Sequence, residues 1–314
     1  TGEAYATELN AEKIGGAIIT ELCRYMPSEI LICPAMLDFK DVTAYIKQHT
    51  NALVELREDA CFKDSVMEAA MANQFGLDWR DALGYEKDAL VPYAVAAMIN
   101  YLHETQKHGV ERIKTVQNYA DAQYMRLSPV TRANLELTET MRGREKRGTL
   151  LWVLDKTETS MGKRLLRSWI EQPLVDAEAI NRRLSAVQAL YTANMARADL
   201  KEALSHVFDI ERLTTRILYG SATPREVKAL GDTCAMLPEV RSQAAACGAP
   251  LLKDLADQID PLEDILNKIT TALVDDPPAT LKDGGAIRAG HNSEVDELRD
   301  IMHGGKGYLS NLAA

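Results

Sequence analysis

The sequence has few aromatic residues and no apolar run long enough to cross a membrane. Aromatic side chains make up 6% of its 314 residues, which favours helices over a large β-sandwich. No apolar segment approaches the ~20 residues that a membrane-spanning helix needs. The first residues, TGEAYATELN, have neither the basic nor the apolar segment of a secretory signal. We therefore expect no contact with a membrane.

Cysteine is also scarce, and its pattern is typical of reduced thiols. The five cysteines form an odd set without a C-x-x-C pair, and each lies in an apolar or alanine-rich neighbourhood. Such cysteines are usually buried and unpaired in cytoplasmic proteins. The six histidines do not cluster with cysteines or carboxylates at the spacing of metal ligands. We expect a cytoplasmic protein without a metal site.

The common phosphate-binding and hydrolase motifs are missing as well. There is no G-x-G-x-x-G and no G-x-S-x-G. Gly162-Lys163 and Gly305-Lys306 resemble the end of a phosphate-binding loop, but Thr157 and Asp300 stand where its first glycine belongs. A net charge of −10 argues against nonspecific coating of DNA. We predict no catalytic residue and no cofactor site in this chain.

The first hundred residues alternate between strand and helix patterns. Short apolar runs at 29–33 and 52–56 are typical of buried strands, and residues 3–9 alternate like an edge strand. Helical periodicity covers 14–22, 39–48, 63–75 and 88–106. This order predicts an α/β domain over residues 1–104. Because Thr1-Gly2-Glu3 enters a strand at once, we expect the chain to begin inside that domain.

The remaining residues predict a linker and then a helical domain. Residues 105–126 are polar and mixed, as in a linker, and the pattern is helical from 127 to 314. The predicted helices are 176–194, 196–208, 209–219, 223–246, 251–274 and 292–302. Thr223 is a predicted N-cap with Pro224 at the first helical position, and Ser160 is a predicted N-cap for the helix that follows it.

A basic segment, MRGREKR at 141–147, leaves two interpretations open. Its cations are Arg142, Arg144, Lys146 and Arg147. They could lie near DNA phosphates, or they could form a flexible basic loop between helices, since no aromatic residue is interleaved with them. The basic residues of the helix after Ser160 leave the same choice between phosphate contacts and a solvated rim.

Two segments carry a resemblance to a known family. They are LSPVTRANLEL at 127–137 and GTLLWVLDKTETSMGKRLLRSWIEQPL at 148–174. Together they resemble the entry to the core domain of the MutS family of DNA mismatch-recognition ATPases. Further along, DIERLTTR at 209–216 resembles the lever-helix signature, and LKDGGAIRAGHNSEVDELRDI at 281–301 resembles the segment leading to the clamp. Residues 1–104 are similar in layout to the family's connector domain.

The resemblance implies a fold and a set of structural positions. It implies an RNase H-like α/β connector domain, incomplete at its N-terminus, followed by an incomplete, all-α core and lever domain. The motif positions that shape the core junction are Asn134, Glu136, Asp155, Thr157, Thr159, Gly162 and Arg164. Ser128 stands where the family usually has Asp, which predicts the loss of a capping carboxylate.

The resemblance also implies a function without catalysis in this part of the chain. In the full-length family, other domains recognise mismatched duplex DNA and hydrolyse ATP with Mg, and the protein is a homodimer. This central fragment would couple the DNA-binding and ATPase ends, and its connector would help to recruit MutL.

Two other functions stay open from the residues alone. One is an autonomous RNase H-like nuclease, whose catalysis needs clustered carboxylates that bind a divalent metal. The nearest strand-associated candidates are Glu3, Glu8, Glu29 and Glu55. The other is a stand-alone helical scaffold.

Overall fold

The structure, a computed structural model, describes residues 2–9, 14–106, 109–119, 124–125 and 127–312, with only the backbone at 303 and 305–312. Contacts divide the chain into two compact units. The first contains the residues up to Asp155 together with Leu166–Ala177, and the second contains Lys156–Leu165 together with the residues from Glu178 on. Residues 107–108, 120–123 and 126 of the predicted linker lie outside the described residues.

The first unit combines short strands with helices, as the alternating pattern predicts. Its strands are β1 (Ala4–Ala6), β2 (Glu29–Ile32), β3 (Leu53–Leu56) and β4 (Val116–Asn118). Its helices up to residue 155 are α1 (Ile14–Tyr25), α2 (Lys40–His49), α3 (Asp64–Phe75), α4 (Trp79–Leu83), α5 (Val91–Thr105), α6 (Pro129–Asn134) and α7 (Leu150–Leu154).

The strands pair in two parallel, two-stranded sheets. In one, β2 pairs with β3 so that Glu29 lies opposite Leu53. In the other, β1 pairs with β4 so that Tyr5 lies opposite Gln117. Strand β4 lies in the stretch predicted as a linker. The sequence analysis missed it because three residues in a polar stretch are too few to show an alternating pattern.

The core of the first unit forms where α3 and α5 pack against the β1–β4 sheet. Met71 and Trp79 are almost completely buried there, together with Ala96 and Ile99 of α5. Val116 extends this cluster from β4. A side chain of β4 is thus part of the core, which explains why so short a strand is held in place.

The second unit is helical and is centred on a long helix. Helix α8 (Ser160–Glu171) begins in this unit and ends in the first. The other helices are α9 (Ala177–Thr192), α10 (Asn194–Ser205), α11 (Ile210–Leu218), α12 (Pro224–Ala246), α13 (Pro250–Gln258), α14 (Glu263–Ala272) and α15 (Ser293–Leu312). Helix α12 packs against α10, α11, α13 and α14. None of the helices in the described part of the chain has the length and apolar character to cross a bilayer.

The start of α12 confirms the predicted cap. The Thr223 hydroxyl accepts a hydrogen bond from the Glu226 N–H, and the Glu226 carboxylate accepts one from the Thr223 N–H. This reciprocal arrangement is a capping box, and Pro224 occupies the first turn.

The predicted helix at 251–274 is wrong, because the structure has two helices there. Helix α13 ends at Gln258 and α14 begins at Glu263. Pro261 has no N–H to continue the helical ladder. Leu262 adopts a left-handed backbone with φ of 53°, and its N–H donates to the Asp260 carboxylate at 3.0 Å. The break follows from this local turn.

Replacing Gly231 with alanine should test the close packing of α12 against α14. A Cβ at this buried glycine would lie 2.8 Å from Cγ2 of Ile269. Alanine gains helix propensity of about 1 kcal/mol, but overpacking costs about 1–3 kcal/mol. We expect Gly231→Ala to lower the free energy of unfolding in urea by roughly 1 kcal/mol.

The matched control is Gly16→Ala in α1. A Cβ there would meet no described atom within 4 Å, so the gain in helix propensity is unopposed. This variant should unfold at a higher urea concentration than the original protein. Stabilisation by Gly231→Ala would contradict the packing described for α12 and α14.

Candidate functional site at the core junction

The seven predicted junction positions fall into two groups. Asn134, Glu136 and Asp155 belong to the first unit. Thr157, Thr159, Gly162 and Arg164 belong to the second. Each group is therefore described with its own unit.

Helix α6 begins with a side-chain cap at Ser128. The Ser128 hydroxyl accepts a hydrogen bond from the Thr131 N–H at 3.1 Å, and Pro129 occupies the first helical position. The carboxylate that the family usually has is absent, as expected, and the serine hydroxyl supplies the cap. A serine hydroxyl satisfies the same backbone donor that a carboxylate would accept.

Arg132 of α6 forms hydrogen bonds both to Leu127, just before α6, and to the end of α8. Its Nε donates to the Leu127 carbonyl at 3.2 Å, and its Nη2 donates to the Glu171 carbonyl at 2.7 Å. Beneath these bonds, a small apolar cluster buries Leu127, Leu137, Leu151 and Ile170. A guanidinium can satisfy two carbonyls at once because its donors are fixed in a planar fork.

Glu136 forms the bend that follows α6. Its backbone is left-handed, with φ of 45°. Its carboxylate accepts from the Met141 N–H at 2.8 Å, and its carbonyl accepts from the Leu150 N–H at 3.1 Å. Glu136 thus joins α6, the basic segment and α7. Asn134 is the exposed last residue of α6, and Asp155 directly follows α7.

Thr159 caps α8 in place of Ser160. The Thr159 hydroxyl accepts from the Gly162 N–H at 3.0 Å, so the predicted cap at Ser160 is wrong by one residue. A Cβ on Gly162 would lie 3.0 Å from that hydroxyl and 3.6 Å from the Cβ of Thr157. Glycine at 162 therefore leaves room for the threonine cap.

Arg164 makes the strongest polar contact of the second group. Its Nη1 and Nη2 donate to the two carboxylate oxygens of Asp209 at 2.7 and 2.8 Å, and Nη2 also donates to Glu211 at 2.6 Å. This two-pronged geometry is the favourable one for arginine and carboxylate. The Arg164 guanidinium lowers the pKa of Asp209 below its ordinary value, and the pKa of Arg164 is raised in turn.

Asp209 also caps α11. Its Oδ1 accepts a hydrogen bond from the Arg212 N–H at 3.3 Å, and the same carboxylate forms the ion pair with Arg164. The carboxylate side chain is 18% exposed, against 49% for Arg164. One carboxylate therefore fixes both the start of α11 and the first turns of α8.

The basic segment is an ordered turn. The Thr140 N–H donates to the Glu145 carbonyl, and the Glu145 N–H donates to the Thr140 hydroxyl, each at 3.0 Å. Arg144 adopts a left-handed φ of 49°. Arg142, Arg144, Lys146 and Arg147 are exposed. Within the described residues these four cations form no ion pair.

Arg144 also lines a cleft of about 430 Å³ in the first unit. Arg132, Arg167 and Cys23 line the same cleft. Cys23 Sγ lies 2.9 Å from the Tyr45 hydroxyl, and burial raises the pKa of the thiol. A thiol with a raised pKa is a poor nucleophile at neutral pH.

Three of the four carboxylates considered for a nuclease contact neighbouring side chains, and Glu3 among them accepts from the Tyr5 hydroxyl at 3.3 Å. Glu29 accepts a hydrogen bond from the Tyr101 hydroxyl, and Glu55 lies 4.0 Å from Arg57. Among the residues that the structure describes, no group of three or more histidines, cysteines or carboxylates could hold a metal ion.

Comparison with known proteins decides the family. A family model for MutS domain II matches residues 1–116, and one for MutS domain III matches residues 130–312. The chain belongs to the MutS family. The resemblance is thus confirmed, as is the predicted order of a MutS connector domain followed by a MutS core domain.

Similar proteins match along the whole chain. The DNA mismatch repair protein MutS of Ruminiclostridium cellulolyticum is 39% identical over 314 residues, which are 100% of this chain and 36% of that protein. The MutS of Alkaliphilus oremlandii is 39% identical over 99% of the chain and 36% of its own length. The MutS of Symbiobacterium thermophilum is 36% identical, again over 36% of its length. The chain therefore spans about a third of these relatives.

Sequence reasoning missed the partner of Arg164. Asp209 and Glu211 stand in the quoted segment DIERLTTR, but 45 residues separate Asp209 from Arg164. The one local signal was an aspartate directly before a helical pattern, which marks an N-cap. Nothing in that signal shows that the same carboxylate receives a distant arginine.

Replacing Asp209 with asparagine should test the ion pair. Asparagine can still cap α11, so the loss is mainly the charge. We expect the free energy of unfolding at pH 7 to fall by about 1 kcal/mol. Because the folded-state pKa of Asp209 is lowered, its stabilisation is complete above the unfolded pKa of about 3.9 and is lost as the pH falls through the folded value. The difference between the two proteins should therefore shrink below pH 4.

The control is the exposed pair of Arg182 and Asp254. Its side chains are 55% and 51% exposed at an N–O distance of 2.6 Å, and such pairs contribute little. Asp254→Asn should change stability by less than about 0.5 kcal/mol. Equal losses in both variants, or a loss at Asp209 that does not change with pH, would contradict the role given to Arg164.

Proposed function

We propose that this chain is the part of a mismatch-recognition protein that couples its DNA-binding regions to a separate ATPase domain, and that it contributes to MutL recruitment. The observation that carries this proposal is helix α8. Its first turns contribute to the second unit and its last turns to the first. An element that belongs to two packed bodies is suited to transmit a movement.

Each end of α8 is held by its own set of contacts. At the start, Thr159 caps the helix and Arg164 forms an ion pair with Asp209. At the end, Ile170 is buried in the apolar cluster and the Glu171 carbonyl receives Arg132. Coupling requires elements with discrete packed arrangements, and rigid anchors at both ends of one helix support that role.

The connector role rests on the first unit. Its paired parallel strands and flanking helices support an RNase H-like connector. We propose that it extends past the expected end at 104 to residue 118, because β4 pairs with β1 and Val116 lies in the same core. The linker then ends at 126 and the core and lever domain covers 127–314. The hydrogen bond from Arg24 to Gln172, at 3.1 Å, supports communication between the connector and the core segment at the end of α8.

The partners of the whole protein belong to the same proposal. They are mismatched duplex DNA, a second copy of the full-length chain, and ATP with Mg in another domain.

Four cations of the basic segment are proposed to lie near DNA in that assembly, because they are exposed and their charges are not paired among the described residues. They are Arg142, Arg144, Lys146 and Arg147. We place the protein in the cytoplasm. A whole-chain match to mismatch repair proteins disfavours an autonomous nuclease or scaffold.

The test of the connector role uses the full-length protein without residues 1–118. This deletion removes β1 and β4 together, so neither strand is left without its partner. We expect MutL recruitment to fall at least tenfold and mismatch binding to change much less, as measured by surface capture of MutL and by fluorescence anisotropy of mismatched duplex DNA. Retained ATP hydrolysis is the control for correct folding of the rest. If mismatch binding is lost first, the connector assignment is wrong.

The basic turn is tested by replacing its four cations with glutamine in the full-length protein. Each lost phosphate contact should reduce the slope of log affinity against log salt by roughly 0.9. We expect affinity for duplex DNA to fall about three- to tenfold in anisotropy titrations. Lys253→Gln and Lys282→Gln, at exposed positions of the second unit, are the control. An unchanged salt slope in the fourfold variant would contradict the DNA-proximal role.

A further inference from the structure

Tyrosines are concentrated around one cleft of the first unit. The chain has 11 tyrosines, and four of them line a cleft of about 430 Å³. They are Tyr5, Tyr25, Tyr119 and Tyr124. The other described lining residues are one arginine, three carboxamides and one serine, and none of them is a carboxylate or an aliphatic residue. The volume is in the range of ligand pockets.

A buried arginine fixes the inner tyrosines. Arg24 is 8% exposed, and its guanidinium carbon lies 4.6 Å from the ring centres of both Tyr119 and Tyr124. Its Nη2 donates to Gln172, and Nη1 lies 3.4 Å from the Glu21 carboxylate. The aromatic cage is therefore already filled by a cation of the chain itself. The faces of Tyr119 and Tyr124 that Arg24 covers are therefore not open to a second cation.

Two tyrosines of the cleft are about half exposed, and of these Tyr5 has no cation over its ring among the described residues, whereas Arg24 lies 5.2 Å from the ring centre of Tyr25. Tyr5 is 50% exposed and Tyr25 is 46% exposed. Tyr5 lies opposite Gln117 in the β1–β4 sheet, and the Tyr5 hydroxyl donates to Glu3 at 3.3 Å. An exposed ring beside an exposed carboxamide offers a stacking face and a hydrogen-bonding group side by side.

Two carboxamides of the cleft, Gln172 and Asn118, already use their oxygen atoms as hydrogen-bond acceptors. The Gln172 oxygen receives Arg24, and the Asn118 oxygen receives the Tyr85 hydroxyl at 2.7 Å. Neither NH₂ group has a hydrogen-bond partner among the described residues, so each can donate to a ligand. A matching ligand has a flat ring that stacks on tyrosine and carries acceptor atoms at its edge.

From this combination we propose that the cleft binds a nucleobase. Every base has a flat π-face that stacks on aromatic side chains, and thymine and guanine carry carbonyl acceptors at their edges. The base can come from a free nucleotide or from an unpaired position in a single strand. This inference is independent of the proposed coupling function, because it rests on the tyrosines and carboxamides of a cleft to which none of the junction positions contributes.

The experiment uses two probes on the chain as it stands. Thymidine monophosphate is followed by saturation-transfer NMR, and a fluorescein-labelled strand of ten deoxythymidines is followed by anisotropy. Tyr5→Ala should weaken binding about fivefold or more, because one base–aromatic stack is lost. Gln117→Ala, at another exposed position, should also weaken it. The control is Tyr191→Ala, which removes a 73% exposed tyrosine in the second unit.

The outcomes separate the two sources of the base. Binding of both probes, with loss in the Tyr5 and Gln117 variants, supports a nucleotide site. Binding of the strand alone, with the same losses, supports a site for an unpaired base. The proposal is overturned if neither probe binds at millimolar concentration, or if the Tyr5 and Gln117 variants bind as well as the Tyr191 control.

Discussion

The ion pair of Arg164 with Asp209 joins the first turns of α8 to the start of α11. One carboxylate accepts two guanidinium donors and at the same time caps α11. Because these bonds involve charges and are only partly exposed, they are stronger than ordinary surface pairs. The Thr159 cap and the glycine at 162 prepare the helix for this contact by fixing its first turn.

At the far end of α8, arginines donate to uncharged acceptors beside the ion pair of Arg167 with Glu171, whose Nε and Oε1 atoms lie 2.9 Å apart. Arg132 and Arg24 donate to the Glu171 carbonyl and to the Gln172 side chain. The apolar cluster around Ile170 supplies the burial that holds this end. Charged groups therefore act at both ends of the helix, and the apolar cluster adds burial at the far end.

Local chemistry explains which elements could be predicted. The capping box of Thr223 and Glu226 involves residues three positions apart, so its signal lies within one turn of sequence. Strand β4 was missed because its place depends on burial of Val116 against distant helices. The division of 251–274 into two helices depends on a left-handed leucine, which propensity disfavours and which the Asp260 side chain stabilises.

By itself, the sequence determined the family, the order of the domains and most helices, because periodicity and caps are local properties of the chain. The tertiary structure alone decided the pairing of Arg164 with Asp209 and the gathering of tyrosines around Arg24. These groups meet across 45 and about 100 residues of chain, and only folding brings such distant groups into contact.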